Sequence, residues 1–188
     1  MTEFPPDAGG RRVEEALQGL LDRHDPTRMT AAEFRGHQYD AGLAWVYFDE
    51  GAGGMGVRPE LQAIVDRRLH RAGLANREPV EFFIHLAGPT IATYGTQEQK
   101  DRFLRPMFTG EELWCQLFSE PGAGSDFAGL ACKAELDGEE WVVNGQKVWN
   151  TLAHLADWGM LVTRSDPDAP KHKGMTYFAL DMHSDGVD

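Results

Sequence analysis

Apolar positions repeat with a helical period along the first 112 residues and with the period of a strand after that. Between Arg11 and His24, Val13, Ala16, Leu17, Leu20 and Leu21 fall on one helical face. Thr30-Ala-Ala-Glu33 spells a capping box, in which hydroxyl and carboxylate each satisfy the other residue's N–H, and it predicts a short helix ending near Gly42. An apolar, aromatic stretch, Leu43 to Phe48, leads into the glycine-rich Gly51 to Gly56. Pro59 suits the first turn of the next helix, with Leu61, Ile64, Val65, Leu69 and Ala72 as its apolar face and Gly73 as its stop. Pro79 to Tyr94 reads as a helix interrupted at Gly88-Pro89, since proline lacks the N–H and crowds the preceding turn. Thr96-Gln-Glu-Gln99 is a second capping box, opening a helix to about Phe108.

Strand-like runs come next, at Leu113 to Ser119, Ala128 to Leu136, Glu140 to Val143, Trp158 to Arg164 and Met175 to Met182. Asp137-Gly138 predicts a hairpin turn, and Asn144-Gly145 a second one leading into Gln146 to Asn150. Helices first and strands afterwards predict an α+β chain. Its domains are expected at 1–112, all helical, and 113–188, a β-barrel with too few strands to be complete.

Composition narrows the function. At 41% hydrophobic residues a packed core is expected, and no apolar run approaches the roughly 20 residues that span a bilayer. The first residues lack a basic and then apolar leader, so a cytoplasmic location is the default expectation. A formal net charge of −12 argues against a nucleic-acid partner, which needs clustered Lys and Arg. Two separated cysteines, Cys115 and Cys132, make neither a disulfide framework nor a zinc pattern, and no H-E-x-x-H is present. No metal is expected.

Two glycine-rich loops carry candidate chemistry. Gly51-Ala-Gly53-Gly-Met-Gly56 matches G-x-G-x-x-G, but helices precede it and the next helix starts only near Pro59. A dinucleotide site needs a βαβ unit around that motif, so a flexible interhelical loop is the preferred reading. Pro121-Gly-Ala-Gly-Ser-Asp126 suits close backbone approach to an anion, with Ser125 as a hydroxyl donor and Asp126 as a turn-capping acceptor. By itself it is equally a tight turn after a strand.

The wider context is more specific. Trp114-Cys-Gln-Leu-Phe-Ser-Glu-Pro-Gly-Ala-Gly-Ser-Asp126 is followed by Trp141-Val-Val-Asn-Gly-Gln-Lys-Val-Trp-Asn-Thr151. In order and spacing these blocks resemble two of the acyl-CoA dehydrogenase family. Gly88-Pro-Thr, Tyr94-Gly-Thr-Gln-Glu-Gln-Lys100 and Arg102-Phe-Leu104 also resemble that family's helical domain. The likeness covers most of residues 10 to 188.

The resemblance implies FAD as cofactor and α,β-dehydrogenation of an acyl-CoA thioester. It implies flavin contacts at Phe118, Ser119, Gly124 and Ser125 and at Trp149, Asn150 and Thr151. Trp149 would pack on the isoalloxazine, and Thr151 would bond the N5 atom that receives the hydride. Donors at the strand end would stabilise charge gained on reduction. Ser125 would also lie near the CoA phosphates, as would the loop Lys171-His172-Lys173, although a solvated loop fits that basic tripeptide equally well. Trp149 could otherwise be an ordinary core aromatic, and Glu120 reads as a surface carboxylate bracing the turn.

No residue matches the family's catalytic base. The helical C-terminal domain that carries the carboxylate, the CoA arginine and much of the FAD contact falls outside this sequence. The chain is therefore expected to be an N-terminal fragment or split subunit. Other readings stay open: a non-catalytic subunit completing a partner's site, or an acyl-CoA oxidase or flavin monooxygenase on the same scaffold. Electron-transfer flavoprotein is the implied acceptor, and a homo- or hetero-oligomer with an acyl-CoA dehydrogenase subunit the implied assembly. The spelling of the first block resembles an actinobacterial branch, some members of which pair as unlike subunits on bulky, steroid-derived CoA esters.

Overall fold

Three helix starts in the first part of the chain are fixed by side chains that accept the otherwise unpaired N–H groups. The computed structural model describes residues 7–75 and 83–188, which divide into two units, one reaching to Glu111 and one beginning at Glu112. The Asp7 carboxylate accepts from the Gly10 N–H at 2.8 Å and starts α1 (Ala8–Arg23), three residues ahead of the periodic stretch. Both capping boxes form. Thr30 and Glu33 open α2 (Ala31–Asp40), and Thr96 and Gln99 open α5 (Gln97–Thr109), which ends on left-handed Gly110 at φ 83°. A 3₁₀ turn at Pro59–Leu61 leads into α3 (Gln62–Arg71), which Gly73 follows with φ 90°.

The apolar stripe of α1 is the centre of this unit. Val13, Leu17 and Leu20 are buried with Phe34 of α2, with Leu43, Val46 and Met55 of the connecting segment, and with Val65 and Leu69 of α3. Each such Leu contributes about 1.5–3 kcal/mol. Polar ties flank the core. Arg68 donates to Glu14 and Gln18 at 2.7 Å each, joining α3 to α1, and Arg105 clasps Asp40 at 3.0 and 3.1 Å, joining α5 to α2.

Two expectations for this unit are corrected. The predicted break at Gly88-Pro89 does not occur: α4 (Ile84–Tyr94) runs through Pro89. The helix spares that one hydrogen bond because Ile84, Ala87 and Ile91 are buried along one side, and packing outweighs a local gap. Gly88 serves the packing, since a Cβ there would lie 3.1 Å from the Trp45 indole. The start of that predicted helix, 79–82, lies outside the described residues. The glycine-rich segment is also no flexible loop. Ala52 to Met55 are buried, the Gly53 carbonyl accepts from Ala44 and Trp45 at 3.0 and 3.1 Å, and Met55 donates to Val46 at 3.1 Å. Gly53 takes φ 80° against the Tyr39 ring, where a side chain would collide.

The second unit is one sheet of five strands: β1 (Trp114–Leu117), β2 (Lys133–Asp137), β3 (Glu140–Asn144), β4 (Trp158–Arg164) and β5 (Met175–Asp181). β4 is central. It pairs antiparallel with β5 along its whole length, and parallel with β1 from Trp158 to Leu161 and with β2 at Arg164. β2 and β3 form a hairpin closed by Gly138 at φ 65°. The sheet is open, and β3 and β5 each have one strand partner among the described residues. The long strand expected from Ala128 instead begins at Lys133, because Phe127–Gly129 coil into a 3₁₀ turn. The Asn144-Gly145 hairpin is likewise absent. Gly145 is not left-handed; it lets the chain pass so close to Cys132 that a Cβ would sit 2.5 Å from the Cys132 Cβ and Sγ.

Among the described residues no helix is long and apolar enough to cross a membrane, and no group of three or more His, Cys, Asp or Glu could hold a metal ion.

His24, at the end of α1, stacks on His37 of α2 with ring centroids 3.7 Å apart and planes 12° from parallel. Partial burial lowers the His24 pKa from its ordinary 6.5, and the neighbouring His37 and Arg23 lower it further. Folding therefore favours the neutral ring, and this stabilisation is present above pH 6.5 and lost as pH falls below it. Melting temperature measured from pH 7.5 to 5 should drop more steeply for the wild type than for His24→Gln. Parallel slopes would rule out this contribution.

Candidate functional site

The strand end after β1 and the segment between β3 and β4 are joined by a buried ion pair. Glu120 and Lys147 have side chains only 7% and 6% exposed, and the Lys147 Nζ donates to Glu120 Oε1 at 2.8 Å and to the Phe118 carbonyl at 3.1 Å. Glu120 also accepts from the N–H groups of Ala131 at 2.7 Å and Cys132 at 2.9 Å. Its own N–H donates to the Ala123 carbonyl, and the Ala123 N–H donates back to its carbonyl, at 2.9 and 3.1 Å, which folds the turn Pro121–Gly122. The expectation of a surface carboxylate is thus corrected: Glu120 does brace the turn, but from inside. Burial pushes its carboxyl pKa up; the Lys147 hydrogen bond and the two N–H groups outweigh that and hold it below the ordinary 4.5.

Next to Lys147, the Val148 N–H donates to the Ser119 carbonyl at 2.8 Å. Beyond it the backbone turns sharply. Trp149 and Leu152 both take left-handed φ, 61° and 65°, at a cost of roughly 1–2 kcal/mol each for non-glycine residues. Trp149 is 89% exposed, which overturns the core-aromatic reading. The Thr151 N–H donates to the Trp149 carbonyl at 3.0 Å, and Thr151 itself is exposed. The Asn150 Oδ1 is buried without a hydrogen-bond partner among the described residues. A buried acceptor left so costs about 1–3 kcal/mol.

The other sequence-predicted residues lie on two neighbouring loops. Gly124 and Ser125 are exposed at the tip of the loop after Glu120, and His172 is exposed in the loop before β5. Asp126 accepts from Lys171 at 2.8 and 2.6 Å, which ties the first loop to the second, so its carboxylate does not cap its own turn as expected. Arg164 at the end of β4 braces both, donating to the Ala128 carbonyl at 2.6 Å and the Lys171 carbonyl at 2.8 Å. The fold therefore brings Phe118 and Ser119 to the Trp149–Thr151 segment, and the Ser125 loop to the His172 loop.

Residues 11–111 match the acyl-CoA dehydrogenase N-terminal domain and residues 115–188 match the acyl-CoA dehydrogenase middle domain. The chain belongs to the acyl-CoA dehydrogenase family. It is 48% identical over 135 residues to acyl-CoA dehydrogenase FadE34 of Mycobacterium tuberculosis, a match covering 72% of this chain and 19% of FadE34. Among solved structures it resembles the steroid ACAD Tcur3481-Tcur3483, at 29% identity and TM-score 0.65, over 99% of this chain and 50% of that one. The ChsE4-ChsE5 complex from Mycobacterium tuberculosis is similar at 28% identity and TM-score 0.65, over 99% of this chain and 49% of that one. The chain thus spans less than two thirds of the length of each protein it matches here.

The family depends on FAD. The residues fit such a group: a flat ring held out on a costly backbone, an orphaned acceptor beside it, and a strand end fixed alongside. Sequence reasoning missed Glu120 and Lys147 as a pair. Opposite charges 27 positions apart carry no periodic signal, and only their place beside apolar strand residues hinted at burial.

Because folding depresses the Glu120 pKa, its stabilisation is full above pH 4.5 and is lost as pH falls through the lower folded-state value. Glu120→Gln leaves Lys147 buried without its counter-charge and should cost about 3 kcal/mol at pH 7. It should also flatten the acid limb of a stability-against-pH curve measured by urea unfolding. An unchanged acid limb would show that Glu120 is not the group being titrated.

Proposed function

We propose that this chain supplies the flavin-facing half of an FAD-dependent acyl-CoA dehydrogenase site. The observation that carries the reading is Trp149. An indole almost wholly in water, on strained left-handed backbone, is expensive unless a ligand covers it, and such strain gathers at ligand clamps. Trp149 stacks on the isoalloxazine. Thr151 and Ser119 present hydrogen-bond donors to it, and Asn150 offers its unpaired acceptor. FAD, when bound, accepts the hydride that leaves the β-carbon of the acyl-CoA.

The chain's own residues bind and orient. Phe118 and Ser119 set the edge against which the ring lies. Gly124 and Ser125 form the anion-facing tip, with His172 on the adjoining loop toward the CoA end. Lys171 is a brace for that tip, since Asp126 neutralises it. Glu120 does not remove the α-proton: it is enclosed, paired and held ionised by three donors. No residue of the chain matches the family's catalytic base, and the proposed site takes that base from other polypeptide. Bulky, steroid-derived acyl-CoA is the substrate class favoured by the likeness to a steroid ACAD, and electron-transfer flavoprotein is the acceptor.

The likeness to the ChsE4-ChsE5 complex favours a second reading, in which this chain pairs with an unlike acyl-CoA dehydrogenase subunit and completes that subunit's site. Co-expression with a longer homologue would then give a stable complex on gel filtration. Two separately eluting proteins would count against it.

The first test is the visible spectrum after incubation with FAD and removal of free cofactor. The chain should retain flavin, and Trp149→Ala should weaken binding about tenfold, the loss of one aromatic stacking contact. A folded chain that keeps no flavin, or a Trp149→Ala chain that keeps it equally well, would overturn the reading.

A further inference from the structure

We infer that Glu120 and Lys147 are a positioning pair: they set the spacing between the Phe118–Ser119 edge and the Val148–Thr151 segment, and they are not what holds the sheet together. The purpose assigned to that spacing, seating a flavin, rests on the proposed function above.

Three observations carry the inference. The first is connectivity. From one ammonium and one carboxylate, bonds run to Phe118, Ala131 and Cys132, and through the Glu120 backbone to Ala123. Three separate stretches of chain, 118–123, 131–132 and the segment of Lys147, meet at two side chains. The second is the lack of an alternative. Residues 145–150 lie outside every strand, and the 2.8 Å bond from Val148 to Ser119 is the backbone bond seen there between the two flavin-facing segments. No ladder repeats it, so its register depends on the side-chain clamp two and one residues ahead of Trp149 and Val148. The third is strain. Trp149 is left-handed and exposed, and such a conformation persists only where the surroundings over-determine it. Two residues before it stands Lys147, its side chain buried on two acceptors.

Stability alone does not call for charges here. A buried ion pair can often be replaced by a neutral pair of similar size without loss of folding, whereas removal of one member leaves an uncompensated charge. What a neutral pair does not reproduce is direction. Lys147 reaches two acceptors at once, and a methionine in its place reaches neither.

The test separates spacing from stability. Amide hydrogen exchange is followed by NMR on the full chain as wild type, as Lys147→Met, as Lys147→Arg and as the double variant Glu120→Gln/Lys147→Met. Amides of the β4–β5 ladder, such as Leu161 and Phe178, report the sheet. In the double variant the ladder should stay protected as in wild type while the Val148 amide exchanges at least tenfold faster. Lys147→Arg should restore much of the Val148 protection. FAD retention, read on the same samples, should follow Val148 and not the ladder. Protection of Val148 that survives in the double variant would overturn the inference. So would a loss shared equally by Val148 and the ladder, which would make the pair merely structural. Wild type that retains no FAD would sink the flavin reading, yet the Val148 and ladder amides would still decide the spacing.

Discussion

The segments around the candidate site take their positions from one buried ion pair. A carboxylate and an ammonium removed from water are costly unless their remaining hydrogen-bonding capacity is met. Here the Glu120 oxygens receive Lys147 and two backbone N–H groups, and Lys147 spends a further N–H on the Phe118 carbonyl. These demands fix where the chain goes between strands. The turn after β1, the approach to β2 and the departure from β3 are all drawn to the same point. The close passage of Gly145 over Cys132 belongs to that arrangement, because the segment must come in tightly to bring Lys147 inside.

The clamp separates rigid support from exposed chemistry. Enclosed groups do the holding, and Trp149, Thr151, Gly124, Ser125 and His172 stand at the surface. The Asp126–Lys171 pair repeats the device at weaker strength, being half-exposed and screened by water, with Arg164 adding two bonds to backbone carbonyls. A site that receives a flat cofactor needs this order of rigidity: backbone set first, ring presented afterwards.

The helical unit works by burial instead. The pairs Arg68–Glu14 and Arg105–Asp40 lie at its rim, and its order comes from the stripe of α1 and the aromatic residues around Trp45 and Phe108. Packing there is strong enough to carry a helix through proline twice, at Pro89 and at Pro106. The glycine-rich segment after Phe48 is held by the same means. Gly53 is required by the Tyr39 ring and Gly54 by the backbone of the preceding stretch.

Where a few neighbouring residues decide the outcome, the sequence sufficed. Capping boxes at Thr30 and Thr96, the α1 stripe, the Asp137-Gly138 turn and the helices-then-strands order were all legible, because each rests on contacts within four residues or on a simple period. Two long blocks in fixed order also marked the family. The tertiary structure decided the rest. It carried α4 through Pro89, turned Asn144-Gly145 from a hairpin into a close crossing, and shortened the strand expected from Ala128. It buried Glu120 against Lys147 and left Trp149 in water. Each of these depends on a partner distant along the chain, and burial and long-range hydrogen bonds override local preference once the chain has folded.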